Sequence, residues 1–353
     1  MAKGGSLSLN TKKGKVCEAL RNPIDVLNSL KSKAGNEGYH YERLYRNLYN
    51  EEFYLLAYQN IYASEGNMTA GADGKTIDGM GMDRIRKLIE KVKDHSYQPN
   101  PARRTYIEKK NGKKRPLGIP SFDDKLVQEV VRLILESIYE PTFSNLSHGF
   151  RPNRSCHTAL QQIQGTFTGV KWFIEGDICG FFDNIDHTVL INILRRRIHD
   201  EYFIALLWKF LKAGYMEDWT FHNTYSGTPQ GSIISPIMSN VYLNELDRYM
   251  EIYMKEFECG KKRQKSEEYA RWEQKLKYLR YKLYAKDKWA DMTAEERKAA
   301  NDRIHAIRSE MLKCEYSNPQ DSGYRRLFYV RYADDWLCGV TGSKQDAEEI
   351  KAD

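Results

Sequence analysis

The chain has 353 residues, 41% of them hydrophobic and 29% charged, with a net charge of +7. That is the composition of a soluble globular protein with room for two or three domains, and no apolar run approaches the roughly 18–20 residues that a membrane span needs. Six scattered cysteines form no C-x-x-C pair and match no histidine spacing, which argues against a zinc site and fits reduced thiols in a cytosolic setting.

The first stretch, MAKGGSLSLNTKKGK, lacks an apolar segment after its basic residues and reads as a flexible polar tail, not a secretory signal. Residues 39–63 carry Leu44, Leu48, Phe53, Leu55, Leu56 and Ile61 at helical spacing, which predicts a helix most of whose tyrosines fill core or interface. The glycines and aspartates of residues 67–81 mark a loop, and a second helix follows over Met82–Lys93. Residues 84–115 hold twelve Lys/Arg against three acids, a local charge of +9 interleaved with aromatics. Such a footprint suits a phosphate-rich partner, although a basic run also suits a solvated helix face.

Within that run, residues 103–119 read as a β-hairpin around Lys110-Asn111-Gly112-Lys113. An amphipathic helix is expected over Asp124–Tyr139, ended by Pro141. Residues 170–177 alternate as a strand that ends on Asp177, and Asp186 is suited to cap the next helix. Ser235-Pro236 starts another helix. Residues 255–323 hold seventeen Lys/Arg and thirteen Asp/Glu and read as a charged helical insertion. Strand pattern returns at Arg326, and Ser343-Lys344-Gln345-Asp346 forms a capping box for a last helix. That helix has run only about ten residues when the sequence stops, so the chain is expected to be cut in mid-domain.

The stretch YVRYADDWLCGV, residues 329–340, sets Asp334 and Asp335 between two extended runs. Taken alone, the pair fits a hairpin turn, where Asp bonds its own backbone. If the hairpin lies beside the strand ending at Asp177, three carboxylates meet at one strand edge. Two unit charges 4 Å apart repel by about 4 kcal/mol at an effective dielectric near 20, so the cluster needs a counter-charge. With oxygen ligands only, Mg²⁺ fits, and two such ions would serve an in-line displacement by a 3′-hydroxyl.

These residues bring a family into view. The sequence resembles reverse transcriptases, and most closely the group II intron-encoded reverse transcriptase/maturases. Asp177-Ile178-Cys179-Gly180-Phe181-Phe182-Asp183 looks like palm motif A, Thr228-Pro229-Gln230-Gly231-Ser232 through Pro236 like motif B, and Tyr332-Ala333-Asp334-Asp335 like motif C. Upstream, Lys113-Lys114-Arg115-Pro116-Leu117-Gly118-Ile119-Pro120 and His148-Gly149-Phe150-Arg151-Pro152-Asn153-Arg154-Ser155 resemble fingers blocks, and the loop Gly71–Gly74 resembles the N-terminal extension. The blocks occur in order through most of the chain.

The resemblance implies that Asp177, Asp334 and Asp335 are catalytic and hold Mg²⁺, with Ile178 beside them at the metal site. It implies that Ile178, Cys179, Gly180 and Phe181 turn the strand so that backbone N–H groups reach the triphosphate. Phe182 would sit beneath the incoming sugar and reject a 2′-hydroxyl. Lys109 and Arg115 would clamp the triphosphate, Gln230 would lie against the nucleotide, and Gly231 would let backbone approach it. Asp183 and Asp186 read as turn and cap, His148 and His187 as structural, and Cys179 and Cys338 as small packing groups. Arg151 and Arg154 could contact template phosphate or merely precede a helix.

The expected fold is α+β: a ferredoxin-like palm, mostly helical fingers with a basic β-hairpin, and a helical insertion. The expected boundaries are an N-terminal tail and helical extension at 1–100, fingers at 101–170, palm at 171–254 and 324–353, and the insertion at 255–323. The expected function is an RNA-directed DNA polymerase of a group II intron that extends a DNA primer on an RNA template with dNTPs. The expected protein also binds structured intron RNA as a splicing maturase, within retrotransposition of a mobile element. The alternative is a retron-type or other bacterial reverse transcriptase with no splicing role. Because the chain stops just past motif C, the fragment is expected to bind RNA but polymerise poorly. A cytoplasmic, bacterial setting is expected, with an organelle also open, no membrane partner, and a homodimer neither required nor excluded by the residues.

Overall fold

The computed structural model describes residues 21–108, 112, 114–224, 226–227, 231–284, 288–318 and 321–353. In chain order the elements are α1 (Pro23–Ser32), α2 (Glu51–Ile61), α3 (Met82–Lys93), β1 (Ala102–Glu108), β2 (Lys114–Ile119), α4 (Phe122–Tyr139), α5 (Cys156–Thr166), β3 (Trp172–Asp177), α6 (Phe181–Asn184), α7 (His187–Arg195), α8 (Glu201–Leu211), β4 (Tyr215–Glu217) and β5 (Thr220–His222). Then follow α9 (Ser235–Phe257), α10 (Glu267–Tyr284), α11 (Lys288–Asp291), α12 (Ala294–Lys313), β6 (Arg326–Tyr332), β7 (Asp335–Thr341) and α13 (Lys344–Ala352). The chain forms two compact units, Met1–Thr142 with Phe182–Met238 and Phe143–Phe181 with Ser239–Asp353.

The first unit is built on α4. Ser121 caps it, and its apolar side chains Leu126, Val127, Val130, Val131, Ile134, Leu135 and Ile138 are fully buried. Helices α1 and α2 pack against it. The helix expected over 39–63 is interrupted, and this is a correction. Residues Tyr45–Tyr49 form a 3₁₀ turn, and Asn50 leaves the helical backbone to cap α2 through a bond from the Glu52 N–H to its side chain. Asn followed by two acids is a helix start, and it overrides the apolar periodicity. Three of the tyrosines there fill core: Tyr41, Tyr45 and Tyr54 are buried, and their hydroxyls donate to the Leu30, Val92 and Leu48 carbonyls, whereas Tyr62 is exposed. A sheet of order β2-β1-β4-β5 completes this unit, with β1 antiparallel to β2 and parallel to β4.

The second unit holds the sheet β3-β7-β6, antiparallel throughout. Helices α9 and α13 share its core, where Met250 and Ala347 meet Ile174, Leu327, Tyr329, Cys338 and Val340. The order β3, α9, β6, β7, α13 is the β-α-β-β-α run of a ferredoxin-like fold, so the α+β expectation holds. The expected insertion is helical as well. Its helices α10 and α12 bury Leu276, Leu283, Ala300, Ile304 and Met311 in a small core of their own.

One charged pair lies inside the second unit. Arg331 on β6 is 1% exposed, and its Nε and Nη2 donate to Asp247 on α9 at 2.8 and 2.6 Å. The Tyr329 hydroxyl donates to the same carboxylate at 3.1 Å, and Ser147 Oγ accepts from Nη2 at 2.8 Å. Removing one partner of a buried pair leaves an uncompensated charge. Asp247→Ala is therefore expected to destabilise the chain by about 3–5 kcal/mol in urea unfolding. Asp247→Leu combined with Arg331→Met should recover a large part of that loss, because neither charge of the pair then remains buried without its partner.

Candidate active site

The strand register decides what the carboxylates can do. Asp177 at the end of β3 pairs with Asp335 at the start of β7, one step beyond the Gly176–Trp336 pair. Strands β6 and β7 are joined by the two-residue turn Ala333–Asp334, which the Tyr332–Asp335 pair closes. The Asp334 carbonyl accepts from the Ile178 N–H at 3.4 Å. Three aspartates from two distant segments thus share one sheet edge. Burial, and then the charges of Asp334, Asp177 and Glu175, push the Asp335 carboxyl above its ordinary value.

Among the described residues, the neighbouring charges that act on Asp335 are all carboxylates, and none is a cation. Nor do any three His, Cys, Asp or Glu side chains there close into a ligand set for an ion. The backbone brings the acids together, and the donor set is all oxygen. That chemistry fits a hard divalent cation such as Mg²⁺ and not a nitrogen- or sulfur-seeking metal.

The turn is held from behind. Ala333 has φ +57°, a left-handed backbone that a side chain disfavours. Arg331 Nη1 donates to its carbonyl at 2.7 Å, tying the turn to the buried pair with Asp247. Gly149 lies against it so closely that a Cβ would stand 2.1 Å from the Ala333 nitrogen. Asn240 Nδ2 donates to the Gly149 carbonyl, and the His148 N–H donates to the Arg331 carbonyl, both at 2.9 Å. The block at 148–155 therefore braces the acids. The His148 ring bridges Thr158 Oγ1 at 2.8 Å and Gln162 Oε1 at 2.6 Å, a structural role as expected. Arg151 is buried and donates to the Ser144 and Ser147 carbonyls, and Arg154 donates to the Asn145 and Ser147 carbonyls. Both side chains thus support the loop, a role that neither of the two expected readings named. Neither Arg331 nor Asp247 was expected at the site. The available signal was a charge on the inward repeat Leu327, Tyr329, Arg331 and another on the apolar face of α9.

After Asp177 the chain turns through Gly180, at φ +61°, into α6. The Ile178 and Phe181 N–H groups are already bonded within this turn, to the Asp334 and Ile178 carbonyls. Cys179 is exposed, which corrects the expectation that it packs; it sits on the outside of the turn, whereas Cys338 is buried in the sheet. Phe182 is half-buried, and Asp186 caps α7 by accepting from the Val189 N–H at 2.9 Å. His187 is buried with Nε2 2.6 Å from the Gly227 carbonyl.

In the first unit, Arg115 is exposed on β2 opposite Ile107. Lys109 and Gln230 lie outside the described residues, as do Lys113, Thr228, Pro229 and the N-terminal tail. Gly231, at φ +108°, makes its close approach to the Gly118 carbonyl, where a Cβ would come within 2.5 Å. Gln128 holds the segment that follows, accepting from Ser232 Oγ at 2.9 Å and the Ile233 N–H at 3.0 Å.

Comparison with known proteins identifies what the chain is similar to. A family model described as "Reverse transcriptase (RNA-dependent DNA polymerase)" matches residues 107–281. The chain is similar to the group II intron-encoded protein LtrA of Lactococcus lactis subsp. cremoris, 45% identical over 312 residues that make up 88% of this chain and 51% of that protein. Protein YkfC of Escherichia coli (strain K12) is 35% identical over 88% of this chain and 73% of its own length. Nuclear intron maturase 1, mitochondrial, of Arabidopsis thaliana is 28% identical over 39% of this chain and 27% of its own length. The chain spans about half the length of the Lactococcus protein.

Two outcomes follow from the brace. Gly149→Ala forces the loop and the turn apart, and an overpacking cost of about 1–3 kcal/mol should appear in urea unfolding. The second outcome concerns pH. Burial holds the His148 imidazole below its ordinary value, with Arg154 and Arg151 adding to the effect against the bond that Gln162 Oε1 accepts from the ring. The unfolded chain then takes up the proton first. The stability His148 contributes is present above its unfolded pKa of about 6.5 and is lost as pH falls toward the folded value. Unfolding curves at pH 7.5 and 5.5 should lose this part of their difference in His148→Gln.

Proposed function

The chain belongs to the reverse transcriptase family, and from that membership we propose that it acts as an RNA-directed DNA polymerase of the group II intron kind. It extends a DNA primer on an RNA template with dNTPs and Mg²⁺, and it binds structured intron RNA. The observation that carries the polymerase reading is the register that sets Asp177 opposite Asp335 with Asp334 in the adjoining turn. The basic segment 84–115 and the similarity to proteins named as intron-encoded protein and intron maturase support the RNA reading. The same similarity favours an intron protein over a retron enzyme.

In this reading Asp177, Asp334 and Asp335, with Ile178 beside them, hold the Mg²⁺. When bound, Mg²⁺ lowers the pKa of the primer 3′-hydroxyl and neutralises the departing pyrophosphate. Arg115 and Lys109 offset the charge of the triphosphate, the guanidinium by its paired donors and the ammonium as a point charge. Cys179, Gly180 and Phe181 shape the turn against which the phosphates lie. Phe182 excludes a 2′-hydroxyl by bulk, and Gln230 orients the nucleotide. The Arg331 brace keeps the acid turn fixed while these groups engage.

The test is primer extension on an RNA template with dNTPs and MgCl₂, together with Mn²⁺ binding followed by electron paramagnetic resonance. Asp177→Asn and Asp335→Asn should each lower extension at least about 100-fold, since each removes a charge that positions the ions. They should also weaken Mn²⁺ binding, a readout that needs no turnover. Unchanged extension and unchanged metal affinity in both variants would refute the assignment. Phe182→Ala should admit ribonucleotides that the unmodified chain rejects.

A further inference from the structure

The β4–β5 hairpin adopts a geometry that stability alone disfavours. Its two-residue turn, Asp218–Trp219, has both residues in the left-handed region, at φ +47° and +64°. A tight hairpin accepts that backbone best from Asn-Gly or Gly-Gly, because a side chain at positive φ meets its own carbonyl. Here the second position holds a tryptophan that is 96% exposed. Neither packing nor turn chemistry accounts for an indole held in solvent on strained backbone, and strain maintained without a packing return marks a contact with something else.

The surrounding sheet indicates the chemistry of that contact. The Arg104 guanidinium lies 4.1 Å from the centre of the Tyr215 ring, and Tyr215 stacks on His222 at 4.9 Å with planes 12° apart. The register places these three side chains on one face of the sheet. Exposed Arg103 and Lys114 add positive charge to the same sheet, while the Glu217 carboxylate is engaged by the Tyr106 hydroxyl. Beyond β5 the chain continues through Asn223 and Thr224, which line a cleft of about 460 Å³ together with Trp208 and Lys212. Rings interleaved with cations are what an unpaired nucleic acid strand requires: each base has a face to stack, and each phosphate needs a positive neighbour.

We infer that the β4–β5 hairpin is a contact for unpaired RNA, with Trp219 as the surface on which a base stacks and the basic residues of the sheet as partners of the flanking phosphates. This rests on the RNA-binding reading above and adds a location to it. The hairpin binds bases by their faces and therefore reads unpaired structure, not sequence.

The test is fluorescence anisotropy of the whole chain with a labelled RNA hairpin that carries an unpaired loop, at a fixed KCl concentration of about 150 mM because phosphate contacts weaken with salt. Trp219→Ala should weaken binding about 5- to 100-fold, and Trp219→Phe should keep most of the affinity. Trp219→Gly relieves the left-handed strain, so it should raise the melting temperature and still weaken binding. Full affinity in a folded Trp219→Ala variant would overturn the hairpin contact and leave the RNA reading intact. No binding by the unmodified chain would overturn the RNA reading itself, and this inference with it.

Discussion

A guanidinium enclosed by protein has five donors to satisfy and a charge to compensate, and both demands fix its neighbours in place. Arg331 meets them with the Asp247 carboxylate on α9, the Ser147 hydroxyl and the Ala333 carbonyl. The pair is costly to bury, and apolar residues of equal volume would often be as stable. What the charged pair supplies is direction. It links a helix, a loop and the turn that carries Asp334, so none of the three can shift without stranding a charge. The position of the acids is thereby coupled to the packing of the whole second unit.

The acid cluster that this brace supports is itself a repulsive arrangement. Asp335 is pushed toward its neutral form by burial and by the neighbouring carboxylates. A turn carrying such groups would spread if only local hydrogen bonds held it, and Ala333 in left-handed backbone adds to the tension. Close backbone approach resists it: Gly149 against Ala333, and Gly176 beneath the Trp336 indole, where a Cβ would come within 2.1 Å of the ring. Both glycines leave room for contacts that any side chain would prevent.

Much of this was legible in the residues, and the reason is that the signals were local. Period-two alternation on either side of an acidic turn announced β6 and β7, Ser343 with Asp346 announced α13, and the basic amphipathic run announced α3 to the residue. The structure departs where distance in sequence decides. Arg331 and Asp247 are 84 residues apart, and no window that contains one shows the other. His148, Arg151 and Arg154 showed no partner in the sequence because their partners are backbone carbonyls and side chains of a loop and helix that assemble around them. Asn50 was overlooked for the opposite reason: a strong local cap was outvoted by a longer apolar pattern. The short β4–β5 hairpin has strands of three residues, too few for alternation to register.

The helical insertion has a consequence for how the second unit assembles. β3 must pair with β7 across a long stretch of chain, and contacts of such high separation slow folding because loop entropy is lost before they form. The insertion falls inside that stretch and has its own core of Leu276, Leu283, Ala300, Ile304 and Met311. Its two ends are fastened to each other by the bridges Cys259–Arg325 and Lys265–Ser317. A segment that collapses on local contacts and brings its own ends together removes its length from the search. Each halving of the effective loop lowers the closure cost by about 0.6 kcal/mol. The inserted helices therefore act as a splice in the folding path: they deliver β6 to α9 as though the intervening residues were a short connection.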